Sequence, residues 1–351
     1  MKIHQNFVGG NIRLKERCGN VFYLENELRD TTQDWFYWAF CVEDAEAGEF
    51  VFRFQKDRIG YWGAAVSSDL VNWSWVNNRE GESFRYVFSG GETLYFAHHM
   101  LYHPTRLFRF AREHGIPVSE LCKSRRERSV PCLSIGQGSR SILLTARNHA
   151  CESTGSYVLE GVLQELCEHP IDDTRIFCVP FVDYDGVIDG DQGKARAPHD
   201  HNRDYKGDTP HIYPEVIAIL QYADTYGCHY GFDFHSPWHL YGENDTVFIV
   251  QNSIEKLDRQ KRFAEIFESE ITEGSMRYSK ANDHPPFVGW NQPSSSFSVI
   301  MTSRAECYNA HTLETCYFGT EDNKVEIAKL LELGRCYGKA ISRYIQEQKT
   351  L

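Results

Sequence analysis

The pattern of apolar residues changes at about residue 98, and this change constrains the fold more than any other feature of the sequence. Before it, apolar and polar residues alternate in short runs, as at Phe50, Phe52 and Phe54, and glycine turns separate the runs. An alternation with a period of two predicts half-buried strands of an antiparallel sheet. After it, apolar strand-like runs alternate with helical patterns, which is typical of a mixed or mostly parallel sheet covered by helices on both faces.

The length of the chain fits two domains of these two kinds. Its 351 residues exceed the roughly 250 to 300 residues that one hydrophobic core accommodates. We therefore predict an antiparallel β-sandwich over residues 1–98 and an α/β domain over residues 99–351. Within the second domain, the patterns predict helices over residues 105–114, 209–226 and 321–348, the last of them capped by Thr320.

The charge and the cysteines limit the partners and the compartment. The net charge is −12, and the one basic cluster, residues 123–128, is typical of a solvated loop. The first residues lack a signal sequence, and no stretch of eighteen apolar residues occurs. The eleven cysteines include no Cys-x-x-Cys pair and are expected as buried, reduced thiols. We expect a cytoplasmic protein with no nucleic-acid or membrane partner, and the sequence leaves the oligomeric state open.

A His-x-x-Glu pair, His149 and Glu152, lies between a buried strand and a helix. It follows the apolar run 142–144 and precedes a helical stretch that begins at Ser153. This places two potential metal ligands at the carboxyl end of a strand, where α/β enzymes build their sites. A catalytic zinc ion commonly has two histidines and one glutamate as protein ligands, with a fourth position open for water. The alternative for Glu152 is a capping role at the start of the helix.

The candidate for the third ligand is His235. It ends the aromatic strand 232–235, so its position at a strand end matches that of His149. The competing residues are His229, at the start of that strand, and His239, beyond a proline.

Further polar residues lie downstream of the pair. Asn202 and Arg203 offer an amide and a guanidinium side by side, which suits a carboxylate ligand, although Arg203 could be an ordinary surface cation. Glu314 lies inside an apolar, strand-like run, where desolvation should raise its pKa toward the working range of a general base; it could instead be an ion-paired strand residue. His199 and His201 lie on either side of Asp200. They could line a pocket, support a metal ligand from behind, or belong to a polar turn.

In this order the motifs resemble the zinc carboxypeptidase family, and more narrowly its cytosolic branch, in which a small β-sandwich precedes the peptidase domain. The resemblance covers most of residues 100–335. Its motifs are the segments 147–152, 181–187, 201–205, 234–235 and 312–314.

The resemblance implies a fold, a cofactor and a role for each residue. The sheet should have about eight strands, and one zinc ion per chain should be bound by His149, Glu152 and His235. Glu314 would act as the general base, and a peptide or protein C-terminus would be the substrate. Asn202 and Arg203 would bind its terminal carboxylate, and Asp200 would orient His149.

The resemblance also implies an arginine that stabilises the tetrahedral oxyanion. The candidates here are Arg196 and Lys194, and the planar guanidinium favours Arg196. Arg304 lies in the segment that lines the side-chain pocket in the family, which suggests a preference for acidic C-terminal residues; an exposed loop arginine is the alternative.

Two departures from the family stand out. Its Asn-Pro-Asp-Gly turn is replaced by the segment 183–186, which keeps Asp-Gly, and neither Tyr278 nor Tyr308 matches the mobile tyrosine of secreted members.

The activity expected is removal of a C-terminal or side-chain-linked amino acid. The alternatives are a zinc-dependent N-acyl amino acid deacylase and a non-catalytic binding protein with a relic zinc site.

Overall fold

The computed structural model describes residues 1–206, 210–292 and 294–349. The strands of the N-terminal region form two sheets, with the orders β1-β4-β9-β6-β7 and β2-β3-β5-β8. All neighbouring strands in them are antiparallel except β3 and β5. The strands are β1 (Lys2–His4), β2 (Arg13–Cys18), β3 (Val21–Glu25), β4 (Ala39–Glu43), β5 (Gly48–Phe54), β6 (Ala65–Ser67), β7 (Ser74–Trp75), β8 (Ser83–Phe88) and β9 (Leu94–Ala97).

Phenylalanine rings from both sheets form the core between them. Phe50, Phe52 and Phe54 of β5 are buried, as their alternation predicted, and the residues between them are not. The ring of Phe52 lies 5.3 Å from that of Phe40 and 5.5 Å from that of Phe96, both on the opposite sheet. This packing of two sheets through their apolar faces is the arrangement of a β-sandwich.

The rest of the chain forms a mixed sheet with helices on both faces. The sheet has seven strands, where about eight were expected, in the order β10-β11-β13-β12-β14-β16-β15. The four adjacent strands β13, β12, β14 and β16 run parallel to one another. A short hairpin, β17 with β18, follows. The strands are β10 (Val118–Lys123), β11 (Ser129–Gly136), β12 (Arg140–Ala146), β13 (Thr174–Val179), β14 (Tyr230–His235), β15 (Val247–Val250), β16 (Asn309–Thr315), β17 (Gly319–Thr320) and β18 (Asn323–Lys324).

Two apolar cores lie on the two faces of this sheet. Helices α2, α5 and α7 contribute to one core, and helices α4 and α6 contribute to the other. The helices are α1 (Pro104–Glu113), α2 (Ser153–Glu168), α3 (Tyr184–Asp189), α4 (Pro214–Tyr226), α5 (Leu257–Glu270), α6 (Phe297–Thr302) and α7 (Ile327–Lys349), with short 3-10 helices at His201–Arg203, Gly242–Asp245 and Lys280–Asn282. In the described ranges no helix is both long and apolar enough to cross a bilayer.

Two helix boundaries differ from the sequence prediction. The last helix begins at Ile327, because Thr320 belongs to the β17–β18 hairpin and its hydroxyl donates to Asp322 instead of capping a helix. Helix α4 begins at Pro214 rather than near residue 209, since that proline occupies its first turn. Thr209, the cap expected for it, lies outside the described residues. The predicted helix over residues 105–114 is confirmed as α1.

The sandwich and the α/β region share one apolar core rather than meeting at a separable surface. Trp35, Phe36 and Trp75 belong to the same buried cluster as Tyr317 and Phe318. Two indole groups also form hydrogen bonds across the boundary: Nε1 of Trp62 donates to the carbonyl of Phe318 at 2.9 Å, and Nε1 of Trp75 donates to the carbonyl of Val325 at 2.8 Å. The N-terminal region is therefore anchored to the segment that follows β16.

Candidate metal centre

The carboxyl ends of two neighbouring parallel strands bring together His149, Glu152 and His235. Strand β12 ends shortly before His149, helix α2 begins directly after Glu152, and His235 is the last residue of β14. Strands β12 and β14 pair in parallel, so their carboxyl ends meet at one edge of the sheet. The three side chains are buried, and each offers a ligand atom within 4.8 Å of the others.

The carboxylate of Glu152 lies between the two imidazoles. Its Oε1 is 2.9 Å from Nδ1 of His149, and its Oε2 is 2.7 Å from Nδ1 of His235. Both rings thus direct the same nitrogen toward one carboxylate. Two imidazoles and one carboxylate at this spacing are a donor set that suits zinc.

Each imidazole has a second carboxylate on its other side. Nε2 of His149 is 3.7 Å from Oδ1 of Asp200, and Nε2 of His235 is 2.7 Å from Oδ2 of Asp233. Although burial lowers the pKa of His235, Asp233 and Glu152 together raise it well above its ordinary value. The cluster therefore favours positive charge between its donors, which is the electrostatic condition for binding a cation. Carboxylates behind metal-binding imidazoles also fix the ring orientation.

Asp233 was not among the residues predicted from the sequence. It is fully buried, accepts from the hydroxyl of Thr145 at 2.8 Å and accepts from Nδ2 of Asn148 at 2.9 Å. Residues two apart on a strand share one face, so the Asp-x-His spacing with His235 was the signal that could have identified it.

Glu314 lies beside His235 on the next strand. The two residues are direct register partners in the parallel pair of β14 and β16. Burial raises the pKa of Glu314 to about 7, in the direction expected from its apolar run. Its Oε2 is buried and accepts no hydrogen bond from any residue in the described ranges. A carboxylate with these properties can exchange a proton near neutral pH.

Of the two cations considered for an oxyanion, the structure brings Lys194 to the cluster and directs Arg196 elsewhere. Nζ of Lys194 donates to Oε1 of Glu152 at 3.0 Å and lies 5.1 Å from the ring centre of Trp35. Burial lowers the pKa of Lys194, but Glu152 and Glu314 raise it above its ordinary value, so the ammonium stays charged. The preference for Arg196 is not supported, because its guanidinium lies 2.8 to 3.2 Å from three other carboxylates, those of Asp30, Asp183 and Asp191.

Asn202 and Arg203 lie next to the cluster in the 3-10 helix His201–Arg203. Asn202 is buried, with Nδ2 3.5 Å from Nε2 of His235, and its Oδ1 accepts from the amide of Phe297 at 3.1 Å. Arg203 is exposed and donates to the carbonyl of Asn202 at 3.1 Å. Within the described ranges, no carboxylate forms an ion pair with it. A fixed amide and an available guanidinium are therefore adjacent.

The structure does not bring Arg304 to this edge of the sheet. Its guanidinium pairs with Glu306 at 2.7 Å and with Asp224 at 2.8 Å, before the start of β16. Glu314 lies near the other end of that strand, which spans roughly 20 Å at the usual rise per residue. These positions do not support the expected contact of Arg304 with a substrate side chain, and the preference for acidic residues stays a prediction.

The remaining candidates have other partners. Tyr308 is 41% exposed and lies at the same distant edge as Arg304, where it stacks on Tyr230. The hydroxyl of Tyr278 donates to Asp283 at 2.8 Å. The ring of His199 lies 2.7 Å from Asp204, and the ring of His201 stacks on Tyr213 with ring centres 3.6 Å apart.

Comparison with known proteins gives relatives and structural neighbours, although no family model matches the chain. An uncharacterized protein of Zymomonas mobilis is 29% identical over 257 residues, which are 67% of this chain and 67% of that protein. Cytosolic carboxypeptidase 6 of Caenorhabditis elegans is 24% identical over 268 residues, which are 63% of this chain and 58% of that protein. The chain thus spans little more than half the length of this named relative.

Solved structures of bacterial proteins share the fold over nearly the whole chain. A metallo-carboxypeptidase from Pseudomonas aeruginosa, solved in complex with (2-guanidinoethylmercapto)succinic acid, matches with a TM-score of 0.79 at 20% identity, covering 99% of this chain and 100% of that one. A metallo-carboxypeptidase from Burkholderia cenocepacia matches with a TM-score of 0.80 at 19% identity, covering 99% of both chains. The shared fold therefore includes the N-terminal sheets as well as the α/β region.

The fold is the one found in bacterial metallo-carboxypeptidases, and the His-Glu-His cluster lies at one edge of its sheet. The resemblance found in the sequence is confirmed: the chain is similar in sequence to cytosolic carboxypeptidases and shares its fold with bacterial metallo-carboxypeptidases. Its named relatives are cytosolic carboxypeptidases.

Proposed function

We propose that this protein is a zinc-dependent metallocarboxypeptidase that hydrolyses a C-terminal or side-chain-linked amino acid from a peptide or protein. The observation that carries the proposal is the buried set of His149, Glu152 and His235 directly beside Glu314. A metal-binding donor set and a carboxylate of raised pKa at one strand edge are what metal-assisted hydrolysis requires.

His149, Glu152 and His235 would hold one zinc ion per chain. A zinc ion there supplies Lewis-acid chemistry, which makes water more acidic and polarises a carbonyl group. The carboxylates of Asp200 and Asp233 would keep Nε2 of each imidazole protonated, so that Nδ1 remains available as the ligand atom. The protein's own contribution is thus a fixed tautomer and a fixed ring plane for both histidines.

Glu314 would move the proton. Its buried Oε2, which has no hydrogen-bond partner among the described residues, can accept a proton from the attacking water. The same carboxyl group can then deliver that proton to the leaving amine, because its pKa of about 7 makes both directions accessible near neutrality.

Asn202 and Arg203 would hold the terminal carboxylate of the substrate. The position of the Asn202 amide is fixed from behind by the Phe297 amide, and the guanidinium of Arg203 is exposed beside it. A guanidinium can form two parallel hydrogen bonds with a carboxylate, which fixes the orientation of the substrate as well as its affinity. This contact would restrict the enzyme to amides that lie next to a free carboxylate.

Lys194 would stabilise the negative charge that develops on the carbonyl oxygen. Its ammonium group already lies against Glu152, and its pKa keeps it charged. A partly buried, preorganised cation near the reacting carbonyl stabilises the transition state more than the ground state. In this proposal the lysine takes the role that the resemblance assigns to an arginine, while Arg196 remains within its carboxylate cluster.

We also propose that residues 1–98 form an N-terminal domain and that residues 99–351 form the catalytic domain. The protein would act in the cytoplasm, on peptide or protein C-termini. The first element beyond this boundary is α1, which begins at Pro104.

The test is an assay of the zinc-loaded chain on peptides ending in Glu, Lys and Phe, with acetyl-aspartate and succinyl-glutamate as non-peptide substrates. Release of the C-terminal amino acid from at least one peptide, faster than cleavage of either acyl amino acid, supports the proposal. Faster cleavage of the acyl amino acids would identify a deacylase. Stoichiometric zinc with no turnover of any substrate would identify a binding protein.

A further inference from the structure

An exposed indole lies three residues beyond His235 of the metal cluster. Trp238 follows the end of β14, in the loop 236–246 that leads to β15, and it is 39% exposed. A single exposed apolar residue needs no special explanation, because much of any protein surface is apolar. Trp238 differs from such a residue because its ring is held in place close to the metal cluster.

Two aromatic rings of the N-terminal region support Trp238. The centre of its ring lies 4.8 Å from that of Trp35 and 5.2 Å from that of Phe36, and both ring pairs are nearly perpendicular. This edge-to-face arrangement is one of the favoured geometries for aromatic pairs. Trp35 and Phe36 are themselves buried. The exposed indole therefore rests on a fixed base.

The loop is also held on the carboxyl side of Trp238. Nδ1 of His239 lies 3.2 Å from Nε2 of His98, and the amide of Tyr241 donates to the hydroxyl of Tyr61 at 3.2 Å. Both partners belong to the N-terminal region. An aromatic surface that is fixed in advance loses little conformational freedom when a ligand binds to it.

Trp35 connects the indole of Trp238 with the metal cluster. Nζ of Lys194 lies 5.1 Å from the ring centre of Trp35 and donates to Oε1 of Glu152 at 3.0 Å. Trp238 lies one further ring contact away, at 4.8 Å from Trp35. An extended peptide advances roughly 3.3 to 3.6 Å per residue. A substrate whose reacting carbonyl lies at Lys194 therefore brings the two residues before the scissile bond within reach of the indole.

The two proposed ends of the substrate lie toward opposite faces of the mixed sheet. Asn202 accepts from the amide of Phe297, which belongs to the apolar core formed with α4 and α6. Trp35 belongs to the core on the other face, formed with α2, α5 and α7. With its terminal carboxylate at Asn202 and Arg203, a peptide would extend past Lys194 toward the N-terminal region.

We infer that Trp238, supported by Trp35, forms a subsite for an apolar or aromatic side chain on one of the two substrate residues before the scissile bond. The inference rests on the proposed function and adds a substrate preference to it. An indole offers apolar area and ring contacts but no positive charge, so it selects against acidic side chains at these positions. The N-terminal region thereby takes part in the choice of substrate.

The test compares kcat/KM of the zinc-loaded full chain on acetylated tripeptides that share one C-terminal residue, whichever of Glu, Lys and Phe is released fastest. Their two upstream residues are Ala-Ala, Ala-Phe or Phe-Ala. We expect at least one of the Phe-containing pairs to be cleaved about tenfold faster than the Ala-Ala peptide, as apolar contacts can discriminate. Equal rates on all three overturn the inference.

Two acidic peptides, with Ala-Glu and Glu-Ala as upstream residues, test the charge of the subsite. We expect both to be cleaved more slowly than the better Phe peptide. Faster cleavage of either acidic peptide would identify the ammonium group of Lys194 as the contact for the upstream side chain and would overturn the inference.

Matched variants locate the subsite. Trp238→Ala should bring the ratio of kcat/KM between the better Phe peptide and the Ala-Ala peptide to within about twofold of one, and Trp238→Phe should retain most of the preference. General damage to the structure would lower both rates together and leave their ratio. Trp290→Ala removes another exposed indole, one that packs on Phe248 and His284, and should not change the ratio. An unchanged ratio in Trp238→Ala contradicts the assignment.

A binding measurement separates this inference from the proposed function. Calorimetry on the zinc-loaded Glu314→Gln variant gives the affinities for the same peptides without turnover. Cleavage of the peptides by the unaltered chain without an upstream preference leaves the proposed function standing and overturns the subsite. If the unaltered chain cleaves none of them, tighter binding of a Phe peptide that Trp238→Ala abolishes supports the subsite alone. Equal binding of all peptides, or no binding, overturns the subsite as well.

Discussion

The two ends of strands β14 and β16 differ in how their charged groups are paired. At the amino ends, Arg304 pairs with two carboxylates, and Nζ of Lys256 donates to the carbonyls of Thr302, Arg304 and Cys307 at 2.6 to 3.0 Å. At the carboxyl ends, His235 lies between two carboxylates. Glu314 beside it has a buried oxygen without a hydrogen-bond partner in the described ranges.

This difference separates a structural end from a functional end of the same strands. Charged groups that are paired hold neighbouring segments in place, whereas a buried charged group left unpaired costs stability and is retained where a ligand or a reaction uses it. We therefore expect substitutions at the carboxyl ends to change activity or metal affinity, and substitutions at the amino ends to change only stability.

The largest effect is expected for Glu314→Gln. Loss of the proton-transferring group should lower kcat by about 10³-fold, within the usual range for general acid–base residues. Zinc content, measured by mass spectrometry, should stay at one ion per chain. Glu306→Gln, at the amino end of the strand, is the matched control and should retain activity within about twofold. A Glu314→Gln variant with normal kcat would remove the functional distinction between the two ends.

The next largest effect is expected for Lys194→Met, which keeps the length of the side chain and removes its charge. Its kcat should fall by about 10²-fold because a cation beside the developing oxyanion is lost, with a smaller change in KM. Arg196→Met serves as the comparison. A larger loss of kcat in Arg196→Met, with its thermal stability retained, would return the oxyanion role to the arginine.

A smaller effect, on metal affinity, is expected for Asp233→Asn. The amide cannot hold His235 through a charged hydrogen bond, so zinc affinity should fall by about 10- to 100-fold. Activity should recover when zinc is added in excess. Competition with a chelating dye measures the affinity, and an unchanged value would show that Asp233 only supports the strand.

The smallest effect on function is expected for Arg304→Met. Its ion pairs are partly exposed, so the free energy of unfolding should fall by no more than about 1 kcal/mol. The ratio of rates on peptides ending in Glu and Phe should not change. A selective loss of activity on the Glu peptide would restore Arg304 as a pocket residue and contradict its place at the structural end.

The sequence predicted the strands that have a local periodic pattern, and it predicted the edge of the mixed sheet at which His149 and His235 meet. The alternation of Phe50, Phe52 and Phe54 is correct for burial, and the positions of His149 and His235 after apolar runs were enough to bring them together. These predictions succeed because strand periodicity and the shared edge of parallel strands do not depend on distant contacts.

The differences from the sequence predictions arise where the direction of a side chain depends on distant partners. Arg196 and Lys194 are two residues apart. The arginine turns away from the cluster toward Asp30 of the N-terminal region, together with Asp183 and Asp191. The same holds for Arg304, which pairs with Asp224 of helix α4. Threonine is a common residue at the start of a helix, which is why Thr320 was predicted as a cap. Its pairing with residue 323 in the β17–β18 hairpin has no local signature in the sequence.

The indole contacts of Trp62 and Trp75 limit how this chain can be recombined with its relatives. Both donors belong to the N-terminal region, and both acceptor carbonyls lie beyond Glu314, near the opposite end of the sequence. A chimera that exchanges residues 1–98 alone keeps the acceptors, and it retains both contacts only if the incoming segment also supplies donors at these two positions. An exchange that also transfers the segment from Phe318 to Val325 keeps donors and acceptors from the same protein. The unit to exchange in protein engineering is therefore residues 1–98 together with that segment.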